Sequence, residues 1–300
     1  MKPKVVFIVG PTSSGKTAVS IKLAEKVNGE IISCDSMQIY KDMDVITRVP
    51  PDRVLSKVPH HLIKKISPEE EYSVARFTRE AANLIDQIIS RGKLPIIVGG
   101  TGLYMKSLID GLFSSPPEDK DLREEFKKEA EGKGSEYLHK RLESVDPETA
   151  SKLHPNDTRR IIRALEVHEL TGETIHEKKK ESEGISSKYD CRIFGLELPR
   201  DALYGRINET VEGMFNEGLV KLVEDLRARK LSKTAFKALG IKEVSAFLDG
   251  QVKLEEAAEE LKKNTRKYAK RQLTWFRADE RIHWVDADRS VDEIVEDIVL

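Results

Sequence analysis

The chain has 300 residues, of which 39% are apolar and 34% charged, and a formal net charge of −1. That length buries a full core as one large domain or two modest ones, and the composition is globular. The balanced charge excludes a uniformly basic nucleic-acid binder, and no run approaches the ~18 apolar residues that span a bilayer. Cys34 and Cys191 are the only cysteines, too few for a disulfide framework or a zinc site, so a reducing cytoplasm and no membrane are expected. Met1-Lys2-Pro3-Lys4 leads straight into an apolar run, so no signal peptide is expected.

The first element is a strand over residues 5–9, followed by Gly10-Pro11-Thr12-Ser13-Ser14-Gly15-Lys16-Thr17 and an amphipathic helix with Val19, Leu23 and Val27 on one stripe. The octapeptide fits G-x-x-x-x-G-K-[ST], a phosphate-cradling loop. Its glycines let successive backbone N–H groups point at an anion, and the helix N-terminus adds a positive dipole end. Lys16 supplies charge for a terminal phosphate, and Thr17 offers a hydroxyl to Mg²⁺. A ligand with two or more phosphates is expected.

A second strand over 30–34 ends beside Asp35-Ser36-Met37-Gln38. Ligands gather at such C-terminal strand tips in parallel sheets. Asp35 is read as a Mg²⁺ ligand or a general base, with capping of the next turn as the structural alternative. A helix over 73–89 and a strand over 95–98 lead into Gly99-Gly100-Thr101-Gly102. An ATP hydrolase of this class is expected to end that strand in Asp to serve Mg²⁺. Here Thr101 instead offers a hydrogen bond to a phosphate oxygen, or the turn is structural. Together with strands over 192–198 and 282–285, the alternation predicts an α/β fold: a mostly parallel, P-loop NTPase-like sheet with flanking helices.

The rhythm breaks after Phe113. Ser114-Ser115-Pro116-Pro117 is read as a linker, and 114–188 as an all-helical insertion in a core made of 1–113 and 189–300. Inside the insertion, Asn156 or Asp157 caps a helix bearing Arg159 and Arg163 on one face. Such a pair suits a nucleic-acid backbone, or salt bridges to the many local glutamates. Helices follow over 203–216, 219–228, 241–248 and 254–277. The last interleaves Tyr268, Trp275 and Phe276 with seven basic residues, a pattern suited to RNA. Its structural alternative puts Leu273 and Phe276 in the core.

These stretches together resemble the bacterial tRNA dimethylallyltransferase (isopentenyltransferase) family. The likeness rests on GPTSSGKT, ISCDSMQIYKDMD, PHHLI at 59–63, YSVARF at 72–77, PIIVGGTGLY, HPNDTRRIIRALE and TRKYAKRQLTWFR, in the family's order. It implies transfer of a dimethylallyl group from dimethylallyl diphosphate to N6 of the adenosine 3′ of the anticodon in tRNA. On that reading Asp35 is the base and Thr101 orients the diphosphate. Residues 10–17 bind it with Mg²⁺ near Thr17. Asp35, Ser36, Met37 and Gln38 contact the target base. Arg123 and the run Arg159, Arg160, Ile161, Ile162 and Arg163 grip the anticodon stem-loop, and a monomer suffices.

Two departures from the family pattern stand out. Val45-Ile46-Thr47-Arg48-Val49-Pro50 replaces I-G-T-A-K-P, with Arg48 the substitute cation. Thr210 stands where a second arginine is usual, with Arg206 four residues before it on nearly the same helix face. A small-molecule phosphotransferase uses the loop and Asp35 but leaves the RNA-like features idle. A non-catalytic RNA-binding module leaves Lys16, Thr17, Asp35 and Thr101 without a purpose.

Overall fold

The computed structural model describes residues 2–113, 116–180 and 182–298. The chain divides into two compact units, Met1–Ile109 with Ile185–Leu300, and Asp110–Gly184. Of the expected linker, Ser114 and Ser115 lie outside the described residues.

The first unit is built on a sheet of strands β1 (Lys4–Val9), β2 (Gly29–Ser33), β3 (His60–His61), β4 (Leu94–Gly99), β5 (Asp190–Glu197) and β6 (Ile282–Asp286), in the order β3-β2-β4-β1-β5-β6. Every pairing among the described strands is parallel. β1 lies centrally between β4 and β5 and is buried on both faces, which is why it reads as an unbroken apolar run. Val5, Phe7 and Val9 join one hydrophobic cluster while Val6 and Ile8 join the other, the alternation that a pleated strand imposes. Helix α1 (Lys16–Val27) contributes Val19 and Leu23 to the second cluster. The Val74–Ser90 helix, N-capped by Ser73, contributes Phe77, Ala81, Ile85 and Ile88 to the first. The 24-residue helix Leu254–Arg277 serves both, with Phe276 in one and Ala269 in the other.

β3 is two residues long, too short to leave a period in the sequence. Ion pairing fixes it instead. His61 Nε2 sits 2.7 Å from the buried Glu30 carboxylate, which also takes Arg91 at 2.7 Å and Lys93 at 3.0 Å. Burial raises the Glu30 carboxyl, but these three partners outweigh it and bring the group down to about 2.

Among its described residues the second unit contains helices and no strand. Lys120–Lys133, Ser135–Val145 and Thr158–Thr171 are its longest helices, packed around Phe126, Leu138, Leu142, Ile161, Leu165 and Val167. Asp119 caps the first by accepting from the N–H groups of Asp121 and Leu122. Asp157 caps the third by accepting from Arg160 N–H, as the sequence anticipates. Among the described residues no helix is long and apolar enough to cross a membrane.

Candidate active site

Sheet order assembles the site. β2, β4 and β1 are neighbours, so the loops leaving their C-terminal ends lie side by side: Asp35 after β2, Thr101 after β4 and the phosphate loop after β1.

In the phosphate loop, Gly15 is the residue before the first turn of α1 and Ser13 also takes a positive φ of 62°. Lys16 Nζ donates to the carbonyls of Gly10 (3.0 Å) and Pro11 (2.6 Å). Burial depresses the Lys16 ammonium to about 8, against the pull of the Asp35 charge in the other direction. Ser14 Oγ is buried without a hydrogen-bond partner among the described residues. The exposed Thr17 lies in the first turn of α1. Among the described residues, a lysine held only by neutral carbonyls, an unpartnered hydroxyl and a helix N-terminus form a cradle that fits a multiply charged anion. Mg²⁺ commonly takes one or two protein oxygens plus substrate phosphates, and the Thr17 hydroxyl fits that role.

The β2 and β4 loops are locked together. A Cβ on Gly99 would stand 2.0 Å from the Cys34 carbonyl oxygen, so only glycine permits this approach. Thr101 N–H donates to that same carbonyl (3.3 Å), and Ser36 N–H donates to Thr101 Oγ1 (3.1 Å). Asp35 Oδ1 accepts from Met37 N–H (2.8 Å) and Gln38 N–H (3.4 Å), so the capping role is present. It occupies one oxygen; Oδ2 makes no hydrogen bond among the described residues. The Gln38 amide is engaged on both sides, accepting from Ser33 Oγ and donating to the Thr47 carbonyl.

Asp35 lies where two cavities meet. One, of about 170 Å³, covers the phosphate loop and is lined by Lys16, Thr17, Gly100 and Gln272. The other, of about 300 Å³, is lined by apolar side chains such as Met37, Ile46, Met214 and Leu261. Asp35, Arg48 and Tyr268 line both. Burial, with the nearby Asp35 charge, pushes the Tyr268 phenol up from its ordinary value, so it stays protonated at neutral pH.

The two departures fall on this site. Arg48 pairs with Glu217 at 2.6 Å beside both cavities. Thr210 Oγ1 donates to the Arg206 carbonyl (2.7 Å) and stands 3.1 Å from Ser13 Oγ, so it touches the phosphate loop directly. The Arg206 guanidinium lies 3.8 Å from where a Gly15 Cβ would stand, bringing a cation to the loop without rotation of its helix. In the basic helix the structural alternative is seen at Phe276, which is core, and at Leu273, which packs partly buried against the other cluster, while Tyr268 and Arg271 line the apolar cavity.

A sequence model of the IPP transferase family matches residues 38–279, and one for isopentenyl transferase matches residues 3–65. A tRNA dimethylallyltransferase of Carboxydothermus hydrogenoformans is 48% identical over 304 aligned residues, covering 100% of this chain and 97% of that protein. The chain belongs to the IPP transferase family. Among solved structures, a tRNA isopentenylpyrophosphate transferase from Bacillus halodurans is 42% identical with a TM-score of 0.73, covering 99% of this chain and 94% of its own. A eukaryotic dimethylallyltransferase described as acting on tRNA is 32% identical with a TM-score of 0.79, covering 95% and 74%.

The helical unit of this family member carries the remaining expected residues. Arg159 and Arg160 are exposed, the latter 3.3 Å from the Asp157 carboxylate. Arg123 and Arg163 converge instead on Glu166, whose side chain is fully buried. Glu166 accepts from Arg123 Nε and Nη2, from Arg163 Nη1 and from Asp119 N–H. Burial raises its carboxyl, but the arginines outweigh burial and hold it below the usual range. Ile161 and Ile162 are 0% and 5% exposed, inside the unit's core. This corrects the expectation that the whole run faces a ligand. The helix period turns both isoleucines inward as its hydrophobic stripe.

Proposed function

We propose that the protein transfers the dimethylallyl group of dimethylallyl diphosphate to N6 of the adenosine 3′-adjacent to the anticodon in tRNA. The observation that carries this reading is the single uncommitted oxygen of Asp35, placed where the polar cavity over the phosphate loop opens into the apolar one. Family membership agrees with it, as do relatives named for the same transfer.

The adenine amino group is a weak nucleophile because its lone pair is delocalised into the ring. Asp35 Oδ2 accepts a proton from it as the N–C bond forms. The C–O bond to the diphosphate breaks, and its electron pair leaves with the diphosphate. Lys16 and the N–H groups of residues 13 and 15–17 stabilise that growing charge, those of Thr12 and Ser14 being taken by Gln272 Oε1 and the Pro11 carbonyl, and Thr101 orients the departing group. The Thr17 hydroxyl would hold Mg²⁺, which when bound would supply positive charge at the leaving group. The apolar cavity takes the five-carbon chain or the flipped base, with Ser36 and Met37 along its wall. Exposed Arg159 and Arg160 meet phosphates of the anticodon stem-loop, while Arg123 and Arg163 hold the helix that presents them.

Incubation with radiolabelled dimethylallyl diphosphate, Mg²⁺ and unmodified tRNA tests this. Label recovered in N6-substituted adenosine at the position following the anticodon is the expected result. Binding of tRNA without label transfer would overturn it.

A further inference from the structure

Gln272 joins pieces of the site that lie far apart in the chain. It sits on the Leu254–Arg277 helix at 6% exposure, with Ala269 and Phe276 fully buried one turn to either side, so packing fixes its place. Its Oε1 accepts from Thr12 N–H at 2.9 Å, and its Nε2 donates to the Gly100 carbonyl at 2.9 Å. The fit is close: a Cβ on Gly100 would stand 2.1 Å from Nε2. From Gly100 the connection continues through Thr101, whose hydroxyl oxygen accepts from Ser36 N–H beside Asp35. One amide therefore ties the phosphate loop to the Gly100–Thr101 turn, onto which the Asp35 loop is hydrogen-bonded.

We propose that Gln272 is a positioning residue for prenyl transfer, its amide holding the phosphate loop and the Thr101–Asp35 face at the separation the reaction needs. This rests on the transfer reaction proposed above. The chemistry of the tie is specific. A primary amide presents one acceptor and two donors, so one end takes an N–H and the other serves a carbonyl. An ionised carboxylate presents acceptors only and would face the Gly100 carbonyl with negative charge. A protonated carboxyl restores one acceptor and one donor in nearly the same plane. A thioether of similar size offers no N–H or O–H donor and only a weak acceptor.

These differences define the test. Gln272→Glu and Gln272→Met are assayed against wild type at saturating tRNA and dimethylallyl diphosphate between pH 6 and 8, with melting temperature and tRNA binding measured on the same preparations. At pH 8 both variants are expected to lose roughly 10- to 100-fold in kcat with tRNA affinity unchanged. As pH falls, the Gln272→Glu rate relative to wild type recovers while that of Gln272→Met stays flat. A purely structural role predicts no such pH-dependent recovery. A flat Gln272→Glu ratio, or Gln272→Met within about twofold of wild type, overturns the assignment, and full activity in a folded Gln272→Met does so alone. A wild type that transfers no label overturns the prenyl-transfer reading and this assignment with it.

Discussion

The phosphate loop and the Glu166 knot both concentrate charge, and they use it in opposite ways. In the helical unit, Glu166 is fully buried and takes Arg123, Arg163 and a backbone N–H, so the acid is saturated and both cations are spent. At the C-terminal end of the sheet, among the described residues, Lys16 is held only by neutral carbonyls, Ser14 Oγ has no partner, and Asp35 keeps one oxygen out of hydrogen bonding. Saturated charge holds a fold together, because removing one partner strands the other out of water. Charge with spare capacity is available to a substrate. The Glu30 cluster belongs with Glu166: Arg91, Lys93 and the His61 ring satisfy it, and it holds β3.

Substitutions can break this contrast. Lys16→Met should lower kcat/KM for dimethylallyl diphosphate by roughly 10²- to 10³-fold with little loss of melting temperature, since it removes charge at the leaving group and strands no counter-charge, only two loop carbonyls. Glu166→Gln should do the reverse, destabilising the protein by about 1–3 kcal/mol in denaturant titration because two arginines lose their counter-charge.

Titration sharpens it. Burial in the loop holds Lys16 at about 8, and a bound diphosphate raises that value by its negative charge. Below pH 8 the ammonium is present and the Kd of diphosphate is flat. Above pH 8 the free enzyme loses the proton that the complex keeps, so Kd rises by up to about tenfold per pH unit. A Kd flat to pH 9.5 would contradict the placement of Lys16. The smallest effect is at Arg160, exposed and only loosely paired. Arg160→Ala should weaken tRNA binding a few-fold and reduce the salt slope by about 1, read from binding isotherms at several salt concentrations.

What the sequence reveals depends on whether partners are local. β1 and the phosphate loop are legible because a contiguous stretch carries both burial on two faces and the anion-binding geometry. Asp35 is legible because strand tips in parallel sheets gather ligands. The C-terminal helices are legible from their 3.6-residue stripes. Gln272 is not, because its partners Thr12 and Gly100 stand 260 and 172 residues away. Glu166 hides for another reason. Among many charged neighbours nothing marks it as the buried one until the packing of Phe126, Leu138 and Ile161 is known. The same packing turns Ile161 and Ile162 inward while leaving Arg159 and Arg160 outside.

The most direct test is the single-turnover rate of label transfer at saturating tRNA, measured side by side for Asp35→Asn and Glu166→Gln. Asn keeps an oxygen for the Met37 and Gln38 N–H groups but cannot take the proton. The predicted result is a rate about 10²- to 10⁴-fold below wild type for Asp35→Asn and within a few-fold for Glu166→Gln. A wild-type rate in Asp35→Asn, or an equal loss in Glu166→Gln, would contradict the division between charge that reacts and charge that holds.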